Sequence, residues 1–116
     1  MASGTITTPW KVTGYSPTKG SKVSAIEGVS YSIGNICIGY LLVTVSSTMA
    51  STNEILASGL PIPKAVMQLP FLCVYGSNNG KVGRCSINAA GSLVTWYTLT
   101  PVASEVYLIP ICYVTK

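Results

Sequence analysis

The chain of 116 residues contains no histidine and no aspartate, and its three acidic residues are Glu27, Glu54 and Glu105. Without histidine a serine or cysteine nucleophile lacks its usual base, which excludes Ser-His-Asp triads and Cys-His dyads in their ordinary forms. Calcium sites lean on aspartate and zinc sites on histidine and cysteine, and Cys37, Cys73, Cys85 and Cys112 do not have the spacing of a zinc knuckle, so no metal is expected. Glycoside hydrolysis needs two carboxyl groups flanking one bond. All three glutamates fall at expected strand ends, where a solvated edge carboxylate is a simpler reading than a catalytic pair. No catalytic residue and no cofactor is assigned.

Charge is also scarce. Charged residues make up 9% of the chain and hydrophobic ones 48%, where a soluble domain normally has roughly a quarter charged. The mean hydropathy of +0.49 has three explanations: a membrane protein, an oligomer with large buried interfaces, or a surface carried by Ser, Thr and Gly. No run approaches the roughly 20 consecutive apolar residues of a spanning helix, because the uncharged interval from Glu27 to Glu54 is interrupted by Ser30, Ser32, Gly34, Asn35 and the polar stretch 46–52. The N-terminal MASGTITTPW has neither a basic lead nor an apolar core, so no signal peptide is expected there. The net charge is +4; Lys11, Lys19 and Lys22 cluster as a small patch near the start, and the remaining basic residues are scattered. A nucleic-acid binder would show a basic stripe interleaved with aromatics, so no nucleic-acid partner is expected.

What the chain does contain is a succession of short strand signals. Residues 1–9 are small, polar and threonine-rich, and are expected to be a flexible lead or a connection to an upstream stalk; residues 10–116 are one domain, long enough for a single core. The stretch Tyr31 to Ser47 is expected to be the central strand. It places Ile36, Ile38, Tyr40 and Leu42 on one face, with Cys37, Gly39, Leu41, Val43 and Val45 on the other. Two apolar faces call for a core on one side and a second cover on the other. With no helical period in sight, that cover is expected to be another subunit.

Around it, Trp10 to Tyr15 and Lys22 to Glu27 look like short strands, the latter closed by Gly28. The segment Gly59 to Pro63, reading GLPIP, predicts an extended crossing, and Pro70 predicts a bulge or an edge position. Asn79-Gly80 predicts a type I′ hairpin joining Phe71–Tyr75 to Lys81–Asn88. A tight turn at Ala89 to Ser92 then leads to Leu93–Leu99, and the chain closes with a strand over Glu105–Thr115. Turn signals every 8 to 12 residues or so indicate an all-β sandwich or barrel. The four cysteines sit inside apolar segments and are expected to be free thiols.

Several of these pieces together resemble one family, the receptor-binding tip (head) domains of bacteriophage tail fibres and baseplate proteins. They are YSIGNICIGYLLVTVSS (31–47), SGLPIP (58–63) and NNGKVGRCSINAAGSLVTW (78–96), in that order. The resemblance implies an all-β, antiparallel, jelly-roll-like β-sandwich assembled as a homotrimer. It also implies a virion tail-tip location, with synthesis in the host cytoplasm, action outside the cell and attachment to upstream fibre or baseplate components. The implied activity is non-enzymatic binding of a host cell-surface saccharide or other receptor, without membrane insertion. A purely structural trimeric virion domain and a polysaccharide-degrading domain are the alternatives. The family's motifs identify no receptor residue, so the candidate patch is read from the residues themselves. Tight hairpins are natural tips of such a domain, and an exposed aromatic beside planar donors suits a sugar ring. The patch is therefore Asn78, Asn79, Arg84, Trp96 and Tyr97, the alternative being that Trp96 packs in a core or interface.

Overall fold

A computed structural model of the chain describes residues 12–97 and 99–116. The expected N-terminal lead, Trp10, Lys11 and Thr98 lie outside the described residues. Strand formation is best seen in the hairpin of β3 (Val23–Ile33) and β4 (Ile36–Val45). Their register closes on Ile33 opposite Ile36, leaving a two-residue turn at Gly34 and Asn35. Gly34 has φ 60 while Asn35 has no positive φ, the pattern of a type II′ turn, which demands glycine first. The stretch Tyr31 to Ser47 is therefore two strands rather than one. Gly28, expected to end a strand, lies inside β3 instead. With φ 116, it approaches its neighbour so closely that a Cβ would stand 2.3 Å from the Tyr40 carbonyl oxygen. Glycine here permits close strand approach rather than termination.

The remaining strands are β1 (Val12–Tyr15), β2 (Thr18–Lys19), β5 (Ile55–Ser58), β6 (Met67–Tyr75), β7 (Val82–Ile87), β8 (Leu93–Thr95) and β9 (Val106–Val114). They form one antiparallel sheet in the order β1-β3-β4-β9-β6-β7-β8-β5-β2, curled into a half-barrel, with no helix among the described residues. Strands β6, β7 and β8 make the expected meander. The concave side holds the core, where Leu41, Val43 and Val45 of β4 meet Phe71 and Cys73 of β6, Cys85 and Ile87 of β7, and Tyr107 and Ile109 of β9. Phe71 and Tyr107 pack edge to face, ring centroids 5.2 Å apart, the favourable arrangement for aromatic quadrupoles.

The two halves of the sheet meet at a short seam. Strands β6 and β9 pair through Leu72–Leu108, Cys73–Tyr107 and Tyr75–Val106. The part of β6 that carries Pro70 pairs with β7 alone, so the proline occupies an edge, as expected of a residue lacking an N–H donor. The GLPIP segment crosses beside the end of β9 with an isolated bridge, Pro63 to Thr115, flanked by bonds from Lys64 N to Val114 O and from Lys116 N to Ile62 O.

The β6–β7 connection is wider than a type I′ hairpin. Asn79 has no positive φ, and the positive values fall on Gly76 and Gly80, at 111 and 88. Gly80 N bonds to Cys73 O and Cys73 N to Lys81 O, closing a loop rather than a two-residue turn. The four cysteines are free, with Cys37, Cys73 and Cys85 buried and Cys112 exposed. Burial pushes the Cys85 thiol up to about 12, and desolvation likewise raises Cys37 and Cys73, which keeps all three in the unreactive thiol form. Alkylation of the isolated, folded protomer is expected to label Cys112 alone, and all four cysteines after unfolding. Mass spectrometry showing two labels in the unfolded, unreduced protein would reveal a disulfide instead.

Candidate functional site

Three features stand out beyond the core: an apolar outer face, a buried carboxylate and a pocket. The outer face is built by register. Val29, Tyr40 and Pro110 form one cross-strand row, Tyr31, Ile38 and Cys112 the next, and Ile33, Ile36 and Val114 a third. Ile38 is 45% exposed and Tyr40 44%, so large apolar groups stand in solvent on three adjacent strands. Contiguous patches of this kind mark contact surfaces. On β9, Ile111 and Tyr113 point into the core, and the alternate residues of the strand face outward.

Glu105 is not a solvated edge group; it is 2% exposed. Its carboxylate accepts hydrogen bonds from the Tyr107 hydroxyl, from Asn78 N at 2.8 Å and Asn78 Nδ2 at 2.9 Å, from Val102 N at 3.1 Å and from Ser77 Oγ at 3.3 Å. Desolvation alone raises the carboxyl pKa, but the donors from Tyr107, Asn78 and Val102 outweigh it and hold the group down at about 2. The reciprocal effect, burial followed by the hydrogen bond to Glu105, raises the Tyr107 hydroxyl. Glu54, by contrast, pairs with Lys22, whose hydrogen bond lowers its pKa.

The pocket, about 220 Å³, opens on the outer face of the meander. Its floor is the register row Gln68, Ser86 and Val94 across β6, β7 and β8. Met67, Val66 and Trp96 add apolar wall, and Asn53 and Asn88 add carboxamides. Thr95 fixes one side. Its Oγ donates to Ala50 O and accepts from Glu54 N, while Asn53 N donates to Thr95 O at 2.7 Å, so the 50–54 loop is stapled to β8 with Asn53 at the rim. Two wider hollows border β1, one lined by Tyr15, Ile62 and Lys116 among others, the other by Gly14, Ser16, Ser30 and Tyr31.

Of the five residues proposed from sequence, Trp96 lines the pocket, and Tyr97 packs edge to face against it at 5.0 Å while remaining 66% exposed. Arg84 stands one step along β7 from the floor and donates from Nη1 to Gln68 Oε1 at 3.3 Å. Asn78 has its backbone N–H and its side chain engaged by Glu105, and Asn79 is exposed in the loop beyond β6. The structure thus brings Trp96 and Tyr97 together, places Arg84 on the floor residue Gln68, and gives Asn78 a structural partner. Gln68, Ser86, Asn88 and Asn53 escaped the sequence reading, since only the strand register and the 50–54 staple collect them.

The buried carboxylate makes a direct prediction. Its folded pKa lies below the ordinary value near 4.5, so the stability it confers is fully present above pH ~4.5 and is lost as pH falls toward ~2, on the order of 3 kcal/mol in all. Glu105→Gln turns an NH₂ toward donors that need an acceptor and should cost about 2–3 kcal/mol at pH 7. Urea titrations at pH 7 and pH 3 check this: the wild type should weaken markedly at the lower pH and the variant much less. Equal midpoints for the two proteins at pH 7 would contradict it.

Neither the protein-family models nor the curated proteins compared with this chain give a match.

Proposed function

We propose that this chain is a non-enzymatic receptor-binding head domain of a phage tail fibre or baseplate protein, acting as a homotrimer that binds a host cell-surface saccharide. One observation carries the reading: the Trp96 pocket offers an aromatic wall beside Asn53, Gln68, Ser86 and Asn88. That pairing of a flat apolar surface with planar amide groups suits a sugar ring and its hydroxyls. None of the lining residues among those described carries a carboxyl group, so a bound glycoside would find no acid among them to protonate its bridging oxygen.

The apolar rows on β3, β4 and β9 support assembly. Burying Tyr31, Ile38, Tyr40 and Val114 between three copies removes from water the surface that a monomer leaves exposed, and such interfaces resemble a core cut in half. In this reading the curled sheet supplies facing layers of the jelly-roll-like sandwich. Three equivalent pockets then multiply a weak single-site affinity by ~100-fold or more. The tail-tip location, the upstream fibre or baseplate partner and synthesis in the host cytoplasm follow from the same reading. A structural virion domain that trimerises without binding a receptor is favoured by the apolar face alone.

Sedimentation at micromolar concentration should give a trimer mass, and Cys112, placed among the apolar rows, should resist alkylation in that trimer. A monomer mass ends the assembly proposal. Trp96→Ala and Arg84→Ala, each checked for correct assembly, should reduce adsorption to host cells at least tenfold for the tryptophan and less for the arginine. Undiminished adsorption by both variants removes the pocket as the receptor site and leaves the structural reading.

A further inference from the structure

We infer that the Trp96 pocket selects a neutral sugar bearing an acetamido group, an N-acetylhexosamine, by offering hydrogen-bond donors beside an apolar wall. This rests on the saccharide reading above and narrows it to one ligand class. The direction of the pocket's hydrogen bonding comes from what the protein already uses. Asn88 Oδ1 accepts from Ala90 N at 3.0 Å and Ser92 N at 3.1 Å, which fixes the amide so that Nδ2 is left over. Gln68 Oε1 accepts from Arg84 Nη1, leaving Nε2 as the open group. Neither nitrogen has a hydrogen-bond partner among the described residues. Asn88 Oδ1 thus has both lone pairs taken and Gln68 Oε1 one of its two, while both donor ends stay open. A ligand that complements them must bring acceptors.

The apolar part of the lining narrows the choice. Val66, Met67, Val94 and Trp96 form about half of the pocket wall by residue, which suits a methyl group better than a hydroxyl. An acetamido substituent supplies both requirements, a strong neutral carbonyl acceptor with a methyl attached to it. A plain hexose carries hydroxyls that donate as readily as they accept, and offers no methyl. Among the described residues no lysine or arginine lines the pocket, and Arg84 meets it only through Gln68, so the carboxylate of an acidic sugar would have no direct charge partner in the lining. The volume, about 220 Å³, is below the ~300–1,000 Å³ of sites for larger ligands, which restricts the pocket to one terminal residue of a glycan.

The backbone adds an independent indication. Asn53 has φ 60 and Tyr97 φ 45; one lines the pocket and the other packs on its tryptophan. Positive φ is unusual for a non-glycine residue and rarest for a bulky one, and such strain collects at ligand sites. Asn53 tolerates the conformation, and its side chain has no hydrogen-bond partner among the described residues.

The test uses methyl glycosides of N-acetylglucosamine, N-acetylgalactosamine, glucose and galactose, titrated by NMR into the full chain. At least one acetamido sugar should bind about tenfold more tightly than its parent hexose, a difference equal to one well-placed hydrogen bond. Gln68→Glu, which replaces the open donor by an acceptor at an exposed position, should abolish that preference while leaving the thermal midpoint close to wild type. Equal binding of acetamido and plain sugars overturns the inference and leaves saccharide binding standing. Binding of no sugar, together with undiminished host adsorption by Trp96→Ala, overturns both. Retention of the preference in Gln68→Glu overturns the donor argument on which the inference is built.

Discussion

A carboxylate surrounded by hydrocarbon is tolerable when its lone pairs are filled, and Glu105 meets that condition by drawing donors from separate parts of the chain. The loop after β6 contributes Ser77 and Asn78, the segment before β9 contributes Val102, and β9 itself contributes Tyr107. These groups converge where β6 and β9 are paired, at the seam between the two halves of the sheet. The same convergence explains the width of the β6–β7 loop. A tight type I′ turn ends its strands beside one another, but here the loop must fold back so that Asn78 reaches the carboxylate. Gly76 takes φ 111 in doing so, with no room for a Cβ, which would stand 2.7 Å from Glu105 Cγ.

With the seam fixed, the scarcity of charge acquires a structural meaning. The inward residues of β4 and β9 fill the core, and their outward neighbours are apolar as well, through Ile36, Ile38 and Tyr40 on one strand and Pro110, Cys112 and Val114 on the next. A sheet with one wet face alternates apolar and polar residues. These strands do not alternate, so the composition records a second apolar surface in addition to the core. Charge returns at the margin of that surface, where Glu27 lies opposite Leu42.

Much of the fold was legible because period-two patterning and proline chemistry are local. The two faces of β4, the edge position of Pro70, the GLPIP crossing, the meander and the last strand all follow from short stretches of sequence. The β3–β4 turn was hidden because apolar residues flank it on both sides: Tyr31 and Ile33 before, Ile36 and Ile38 after, so that Gly34-Asn35 reads as a polar interruption of one strand. Gly28 misled for a related reason, since a glycine that ends a strand and one that lets two strands approach look alike until the partner is known. Glu105 was read as an edge carboxylate because Ser77 and Asn78, which satisfy it, lie far from it in sequence. Trp96 could be singled out as an aromatic in a polar neighbourhood. Its partners could not, because Gln68, Ser86 and Val94 become neighbours through strand register alone.

The pocket and the apolar rows occupy the same, outward side of one sheet, and this relation bears on how they could work together. Along the row that joins the halves, Leu42, Leu108, Leu72 and Val82 are side by side. On the β3–β4–β9 side of it the outward residues are apolar, and on the β6–β7–β8 side they turn polar, with Gln68, Arg84 and Ser86. The curl of the sheet turns the two regions in different directions. A surface divided in this way can be covered on its apolar part by copies of itself while the polar part, with Trp96 and the open amides, stays in solvent. Between the two regions, the donors that Glu105 gathers tie the loop after β6 to the segment before β9 and to β9 itself.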